Sequence, residues 1–470
     1  MTGGSANGER ADRAGRVGLG KKARTVMPLE SHGDLSTAPS RDPVGLLLRQ
    51  AGSRVAELVP IRHGRMLVSP FSYFRGAALP MAADLASAPV SGLRAQLCGD
   101  AHLLNFGAFA SPERRLVFDL NDFDETLPGP FEWDVKRLAT SFVVAGRDLG
   151  LSARTQRATA VVVAERYRTA MREFARQPIM DVWYASVDVQ RYITQLRSVI
   201  KPKRLKAAEA LLSKAYARDS MQALGKLTTM VDGRRRIISR PPTTVPIEEL
   251  FGQAQTDGVY DLVRTVLAKY RHSVQPDRRH LLDQFSVDGV ARKVVGVGSV
   301  GTRSWIALLT AVDGQEPLLL QAKEAQPSVL AAYCGRSGHS NQGERVVAGQ
   351  RLMQAASDIF LGWTRVAEPD DHRDRDFYIR QLRDWKFSVP IERMRPEGMT
   401  LYARLCGWTL ARAHARSGDR IALAAYLGGS DRFDQAIADF AEAYADLNES
   451  DFAAFQDAAK HGRVDAVHDA

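Results

Sequence analysis

Cys98-Gly99-Asp100-Ala101-His102-Leu103-Leu104-Asn105 and, a short hairpin later, Asn121-Asp122-Phe123-Asp124-Glu125 are the two segments on which the reading of this chain turns. An Asp with an Asn five residues on, followed by a carboxylate cluster, supplies the parts a phosphotransferase needs around Mg-ATP. The glycine-rich loop and lysine that should precede such a site instead come far downstream, around Gly296 to Gly301 and at Lys323. That inverted order is the feature to explain.

Working outward, residues 93–97 read as a strand that delivers Asp100 at its end. Residues 106–109 and 116–120 read as two strands joined by the turn Ser111-Pro112-Glu113-Arg114, which folds the two polar clusters together. Phe131, Val135, Leu138, Phe142 and Val143 define an amphipathic helix, with further helices expected over 152–174 and 204–216. Upstream, Val44, Leu47, Leu48, Ala51, Val55 and Leu58 share a helical face, and Phe71-Ser72-Tyr73-Phe74-Arg75-Gly76 forms an aromatic entry to the first core. Residues 1–42 have little periodic apolar content and are expected to be a disordered tail.

Arg234-Arg235-Arg236 and Arg240-Pro241-Pro242 mark a turn-rich junction. Beyond it come a helix near 259–270 and a series of antiparallel strands at 294–297, 302–309 and 317–322. Helical patterns follow at 344–356, 401–415 and 432–447, with a short strand at 377–382. No internal repeat is visible. The pattern is that of an α+β protein with a helical lobe and a small sheet lobe.

Composition bounds the reading without deciding it. A chain of 470 residues with 45% hydrophobic content can bury a sizeable core in two or three domains. The net charge of +10 comes from basic residues spread among acidic ones, so no specific nucleic-acid stripe is indicated, while a bound polyanion such as ATP is favoured. Cys98, Cys334 and Cys406 lie far apart with no C-x-x-C spacing, which argues against a disulfide framework and a zinc site and for a reducing, cytoplasmic setting. The opening residues lack an apolar signal core and no later run has the length of a membrane span, so neither secretion nor a membrane partner is expected.

Each polar residue of the two segments has a chemical role to fill. Asp100 would orient or accept the proton of an attacking hydroxyl. Asn105 offers an amide oxygen to Mg²⁺, Asp122 the main metal-binding carboxylate and Asp124 a second one, since Mg²⁺ takes a few hard oxygen ligands and leaves its other positions to water and phosphate. Gly, Asn and Asp also dominate ordinary turns; their convergence at two strand ends is what favours function. His102, beside Leu103 and Leu104, reads as a structural residue that orients Asp100.

Gly296-Val297-Gly298-Ser299-Val300-Gly301 is a G-x-G-x-x-G element whose backbone amides can approach phosphates. Thr302-Arg303-Ser304-Trp305-Ile306-Ala307-Leu308-Leu309 after it is β-branched and aromatic, so the loop sits between strands, as in a kinase, and does not open a helix as in a dinucleotide fold. Gly296, Gly298, Ser299 and Gly301 are the candidate phosphate-binding positions. Leu318-Leu319-Leu320-Gln321-Ala322-Lys323 ends a strand on a lysine suited to the α and β phosphates, and Glu344 at the start of the next helix is expected to pair with it.

These residues resemble a protein-kinase-like fold of the aminoglycoside and choline phosphotransferase type. There an H-G-D-x-x-x-x-N loop precedes an I-D-F/W-x-D segment and a Y-D-L-A helix. The chain offers Cys98-Gly99-Asp100 with Asn105, then Asp122-Phe123-Asp124, then Trp133-Asp134-Val135 with Leu138-Ala139. The resemblance implies that Asp100 is the catalytic base, that Asn105 and Asp122 hold metal, and that Asp134 is a buried brace of the catalytic loop; Cys98 stands where the group has His. The stretch from about Asp42 to Gly462 also resembles a large bacterial family, domain of unknown function 2252, through Ser69-Pro70-Phe71, Phe74-Arg75-Gly76, residues 99–106 and 296–302, and Ala413-His414-Ala415-Arg416-Ser417-Gly418-Asp419.

Circular permutation reconciles the order, because a fold depends on which elements pack together. The expected layout is a helical catalytic lobe at 43–290, a β-rich nucleotide lobe at 291–397, and C-terminal helices at 398–470 returning to the catalytic lobe. The 401–415 helix should then pack beside the 93–97 strand, and 377–381 should be the hinge strand whose backbone meets adenine. The expected activity is ATP-dependent phosphorylation of a small-molecule hydroxyl with Mg²⁺. Transfer of AMP by the same residues, or a catalytically silent nucleotide-binding module, are the alternatives; a metallophosphoesterase, suggested only by Asp100-x-His102, lacks its other boxes.

Overall fold

A four-residue strand, β1 (Arg94–Leu97), leads straight into the loop that carries Asp100, and it pairs antiparallel with β4 (Leu127–Pro130). Between them β2 (Phe106–Ala110) and β3 (Leu116–Leu120) form the expected hairpin, with Phe106 opposite Leu120 and the short β5 (Val187–Asp188) added to β3. In this computed structural model residues 11–467 are described, apart from 197–219 (where only Ala210 and Ser213 are placed), Val295, Val297, Ser299, Gln315, 368–373 and 383–388. Most of the expected 204–216 helix and Ser299 therefore lie outside the described residues.

Three helices surround the small strands. Phe131–Asp148 is buried along nearly its whole length, and the buried stretch takes in Glu132, Asp134, Lys136 and Arg137 besides its small and apolar residues. Ala153–Phe174 and Pro396–Ser417 pack against each other closely enough that a Cβ on Gly407 would lie 2.6 Å from the carbonyl oxygen of Val163. The helix near the C-terminus also packs on the first strand: Gln96 N donates to Ser417 Oγ at 3.2 Å. Arg412 on the same helix forms a buried ion pair with Asp119 of β3. The last helix, Arg432–Lys460, closes the lobe against Phe131–Asp148.

The second layer is a six-stranded antiparallel sheet in the order β12 (Gly362–Ala367), β13 (Asp374–Gln381), β11 (Pro317–Glu324), β10 (Ser304–Ala311), β9 (Phe285–Lys293), β8 (Thr244–Pro246). The remaining strands, β6 (Thr228–Val231) and β7 (Arg234–Ile237), pair as a separate hairpin. Two expectations are corrected. The strand entering the glycine loop is 285–293, ending before the expected 294–297 strand, of which Val295 and Val297 lie outside the described residues; its mixed polar sequence, with burial only near Val290 and Ala291, gave it weak alternation. β8 and the helix Gln253–Arg271, whose Tyr270 packs in the sheet's own core with Leu309, Leu320 and Ile379, belong to the sheet layer, so that layer begins near 244 and not at 291.

The expected N-terminal tail is corrected as well. Arg13–Val26 is a helix capped by Asp12, and a Cβ on its Gly20 would fall 2.2 Å from the Ala422 carbonyl, so it lies flush on the helix Arg420–Leu427. Arg24 donates to the Tyr426 carbonyl at 2.6 Å and His32 meets the Tyr426 hydroxyl at 2.7 Å. Its order comes from tertiary contact that periodicity alone does not reveal. Among the described residues no helix is long and apolar enough to cross a membrane.

Candidate functional site

The loop after β1 is fixed by one buried carboxylate. Asp134, in the first turn of Phe131–Asp148, accepts from Cys98 N at 2.8 Å and from Gly99 N at 3.1 Å. His414 Nε2 lies 3.3 Å from the same carboxylate, and its Nδ1 meets the Tyr167 hydroxyl at 2.8 Å, so the loop is braced through to the late helix. This is the bracing role the resemblance implied for Asp134. Gly99 adopts φ +82°, and a Cβ there would meet the Glu125 carbonyl oxygen at 2.3 Å, so glycine is what lets the two polar segments close on each other.

Asp100 emerges from this brace with Oδ1 accepting from Arg137 Nε at 2.6 Å. Arg137 lies one helical turn past Asp134, donates to the Phe74 carbonyl at 2.9 Å and stacks on the Phe74 ring at 4.3 Å. Burial raises the Asp100 carboxyl above its ordinary range, against the opposing pull of Arg137. His102 Nε2 stands 3.8 Å from Asp100 Oδ2, beyond hydrogen-bond reach, so the expected direct orientation of Asp100 by His102 is not made; Arg137 holds that carboxylate. Asn105 donates its amide nitrogen to the Asp100 carbonyl at 2.8 Å and receives Asn121 N on its own carbonyl at 3.0 Å, which ties the first segment to the second.

The sheet layer reaches this loop through Lys323. Lys323 and Tyr378 are cross-strand partners on β11 and β13, so their side chains emerge together. Lys323 Nζ lies 2.5 Å from Asp124 Oδ2, and the Tyr378 hydroxyl donates to Asp124 Oδ1 at 2.6 Å. Lys323 is 3% exposed. Burial pushes Asp124 upward, but Lys323 and the Tyr378 hydrogen bond outweigh it and hold the carboxyl down to about 2. Asp122 is raised by burial and by the charge of Asp124. Two halves of the chain separated by 199 positions thus meet at one carboxylate.

Glu344 does not pair with Lys323. It faces His339, 3.5 Å from its Nδ1, on the outer side of the helix Gln342–Met353. The next residue, Arg345, has the inward phase: it donates to the carbonyls of Thr126 at 2.7 Å, Asp124 at 2.9 Å and Gln326 at 2.8 Å, and so clamps the second segment from the sheet side. The expected hinge strand, 377–381, pairs with β11 along its whole length and with β12 only as far as Ile379, and beyond that point Gln381 N donates to Asp358 Oδ2 at 2.5 Å.

Among the candidate glycines, Gly298 lines the cavity beside Asp100. Gly296 is exposed with φ +68°, and its carbonyl accepts from Arg65 at 2.7 Å. Gly301, φ +89°, receives Val55 N on its carbonyl at 2.8 Å, and a Cβ there would touch the Arg54 side chain at 3.0 Å. The glycine loop is therefore clamped from outside by the 54–55 segment.

One cavity of about 330 Å³ is lined by Asp100, Asp122, Asp124 and Glu125 from the two segments and by Gly298 and Thr302 from the glycine loop; Asn105, Lys323, Gly296 and Gly301 do not line it. Burial lifts Glu125 to about 7, although Val329 N donates to it at 2.7 Å. Among the described residues no group of three His, Cys, Asp or Glu side chains is arranged as a metal cage. Asp122 and Asp124 nonetheless fit Mg²⁺: both are hard oxygen donors facing the cavity, their mutual repulsion would be relieved by a divalent cation, and Mg²⁺ characteristically takes one or two carboxylates. Asn105 is buried with its amide nitrogen engaged, which leaves its Oδ1 as the amide atom suited to a cation.

Sequence reasoning missed Arg137, Arg345 and the Tyr378 hydroxyl. Arg137 could have been found as a charge at the i+3 position from Asp134 on an otherwise apolar helix face; Arg345 and Tyr378 left no such signal. The family profile described as "Uncharacterized protein conserved in bacteria (DUF2252)" matches residues 54–458. No curated protein and no solved structure matches the chain. The matched stretch runs from Arg54, which clamps the glycine loop, to the last helix and covers most of the chain, so the chain belongs to the bacterial family DUF2252.

Proposed function

We propose that the chain is an ATP-dependent phosphotransferase of circularly permuted, kinase-like architecture acting on a hydroxyl of a small molecule. The observation that carries the reading is the meeting of Lys323 with Asp124 at 2.5 Å beside a cavity that Asp100 and Gly298 also line. A strand, a glycine loop, a second strand and a third strand bearing a lysine is the arrangement by which kinases cover and neutralise nucleotide phosphates. β9, the 294–303 loop, β10 and β11 follow that plan. The packing of Pro396–Ser417 on β1 and on the braced loop supports the permuted order.

In this reading the acceptor oxygen attacks the terminal phosphorus in line, the bond from that phosphorus to the bridging oxygen breaks, and ADP leaves. Asp100 takes the hydroxyl proton on the carboxylate that Arg137 holds in place, and its raised pKa makes it a better base than an ordinary Asp. Lys323 offsets charge on the nucleotide phosphates and Asp124 positions Lys323. Asp122 and Asp124, with Asn105, would hold Mg²⁺, which supplies charge neutralisation on the phosphates when bound. Most of the rate enhancement then comes from positioning and charge stabilisation.

Thermal unfolding of the full chain with ATP, ADP and Mg²⁺ tests the reading, because a ligand that binds only the native state raises its stability with concentration over affinity. A raised midpoint with ATP and Mg²⁺ is expected, and its absence at millimolar nucleotide would count against the proposal. Phosphorus NMR of the products separates the two transfers: ADP is expected, and AMP transfer would replace the phosphoryl reading.

A further inference from the structure

The cavity carries a second set of charges that phosphoryl transfer to a neutral alcohol does not use. Arg54 follows the helix Pro43–Ala51, Arg62 sits on Val59–Met66, and Arg75 on Pro70–Gly76; all three line the same space as Asp100. Arg62 is 1% exposed, and its Nη2 donates to the Gly76 carbonyl at 2.8 Å and to Gln50 Oε1 at 3.2 Å. Its Nε and Nη1 have no hydrogen-bond partner among the described residues, and neither do the Nε atoms of Arg54 and Arg75. Among the described residues none of the three is in a close ion pair.

Such an arrangement is unfavourable as it stands. Burying a guanidinium with unmet N–H groups costs stability, and Arg54 and Arg62 repel each other across the cavity wall. Arginine forks match the planar, bidentate geometry of phosphate and carboxylate oxygens, so an oxyanion would satisfy the orphaned donors and cancel the repulsion. The connections divide the cluster. Arg54 is bound to the Val300 carbonyl of the glycine loop. Arg75 follows Phe74, whose carbonyl and ring hold Arg137, and Arg62 is tied to Gly76, so these two stand on the side of Asp100 and not with Lys323.

We propose that Arg62 and Arg75, completed by Arg54, form an oxyanion site that seats a phosphate or carboxylate group of the acceptor, making the acceptor an anionic small molecule. The oxyanion site stands on the arginines alone; its assignment to an acceptor rests on the phosphotransferase reading.

Inorganic phosphate and acetate, titrated separately into the full chain with and without Mg²⁺ and a non-hydrolysable ATP analogue, test both parts by calorimetry and thermal shift. Saturable binding of at least one anion without nucleotide is expected, and the tighter of the two identifies the group. Arg75→Gln and Arg62→Lys, checked for folding by circular dichroism, should weaken it about tenfold or more, one charge-assisted pair being worth that much. Lys323→Met should bind the anion as the parent does. Absence of binding, or unchanged binding in a folded Arg75→Gln chain, overturns the site. Anion binding abolished by the analogue assigns the arginines to the nucleotide's own phosphate and overturns the acceptor assignment. Anion binding in a chain that takes no nucleotide keeps the site while overturning that assignment together with the phosphotransferase reading.

Discussion

Tyr378 holds one carboxylate oxygen of Asp124 at 2.6 Å while Lys323 holds the other at 2.5 Å, so a single aspartate is gripped by two neighbouring strands of the sheet layer. Tyr378→Phe removes one hydrogen bond to a charged acceptor and leaves the ring in place. We expect a loss of about 1–2 kcal/mol in urea unfolding, the size of one such bond in a partly exposed setting. An unchanged midpoint would mean that the hydroxyl does not grip Asp124 in solution.

Asp100→Asn keeps the shape of the side chain and removes its basicity. On the phosphotransferase reading the turnover rate should fall by roughly 10²–10⁴, the usual contribution of a general base. Stabilisation by nucleotide should persist, because Asp124 and Lys323 are untouched. Equal turnover in the variant would remove Asp100 from the chemistry.

Asp134→Ala leaves the buried amides of Cys98 and Gly99 without acceptors and strands His414. Each unmet donor costs about 1–3 kcal/mol, so a fall of several degrees in the thermal midpoint is expected. His414→Ala, which keeps both amide bonds, should cost less. The reverse ranking in a melt of the two variants would contradict the brace.

Glu125 gives the chain a pH dependence of definite sign. Its carboxyl is lifted by burial to about 7 in the native state, whereas an unfolded glutamate titrates near its ordinary value of about 4.3. Between those values the native chain binds a proton that the unfolded chain has released. The group's contribution is therefore full below the ordinary value and is lost as pH rises through about 7. The change is on the order of 2–3 kcal/mol. Denaturation at pH 5 and pH 8 should show it, and Glu125→Gln should flatten it; parallel profiles for the two proteins would exclude Glu125 as the source.

Gly99→Ala would drive a Cβ into the Glu125 carbonyl at 2.3 Å and strain a φ of +82°. We expect a loss of at least about 1–3 kcal/mol, with the two polar segments forced apart. Near-parental stability would show that the loop can shift without separating them.

Where the chain's local pattern and its long-range packing agree, the sequence was informative. The hairpin between Phe106 and Leu120 is marked by two short, largely apolar runs and a proline turn, and it brings Asn105 and Asn121 together as its geometry requires. Lys323 was legible as the polar end of an apolar strand. Glu344 was misread because adjacent helix positions differ by about 100° in direction, so the inward charge is Arg345. The three cavity arginines were hidden for another reason: a buried cation held by backbone and amide oxygens, as Arg54 and Arg62 are, has no signature in composition or periodicity. The Phe74-Arg75-Gly76 run was visible, and only its aromatic part was interpreted. The Arg13–Val26 helix depends on a surface contributed by Tyr426, about four hundred residues away.

The brace running from Tyr167 through His414 to Asp134 also bears on biogenesis. A ribosome emits the Asp100 loop about three hundred residues before His414, so a nascent chain displays Asp100 long before its clamp is made. The β-rich layer, with Lys323, emerges in between. Ordering of the loop is thereby deferred until the helix Pro396–Ser417 has been released, which makes late synthesis the step at which the site around Asp100 is completed.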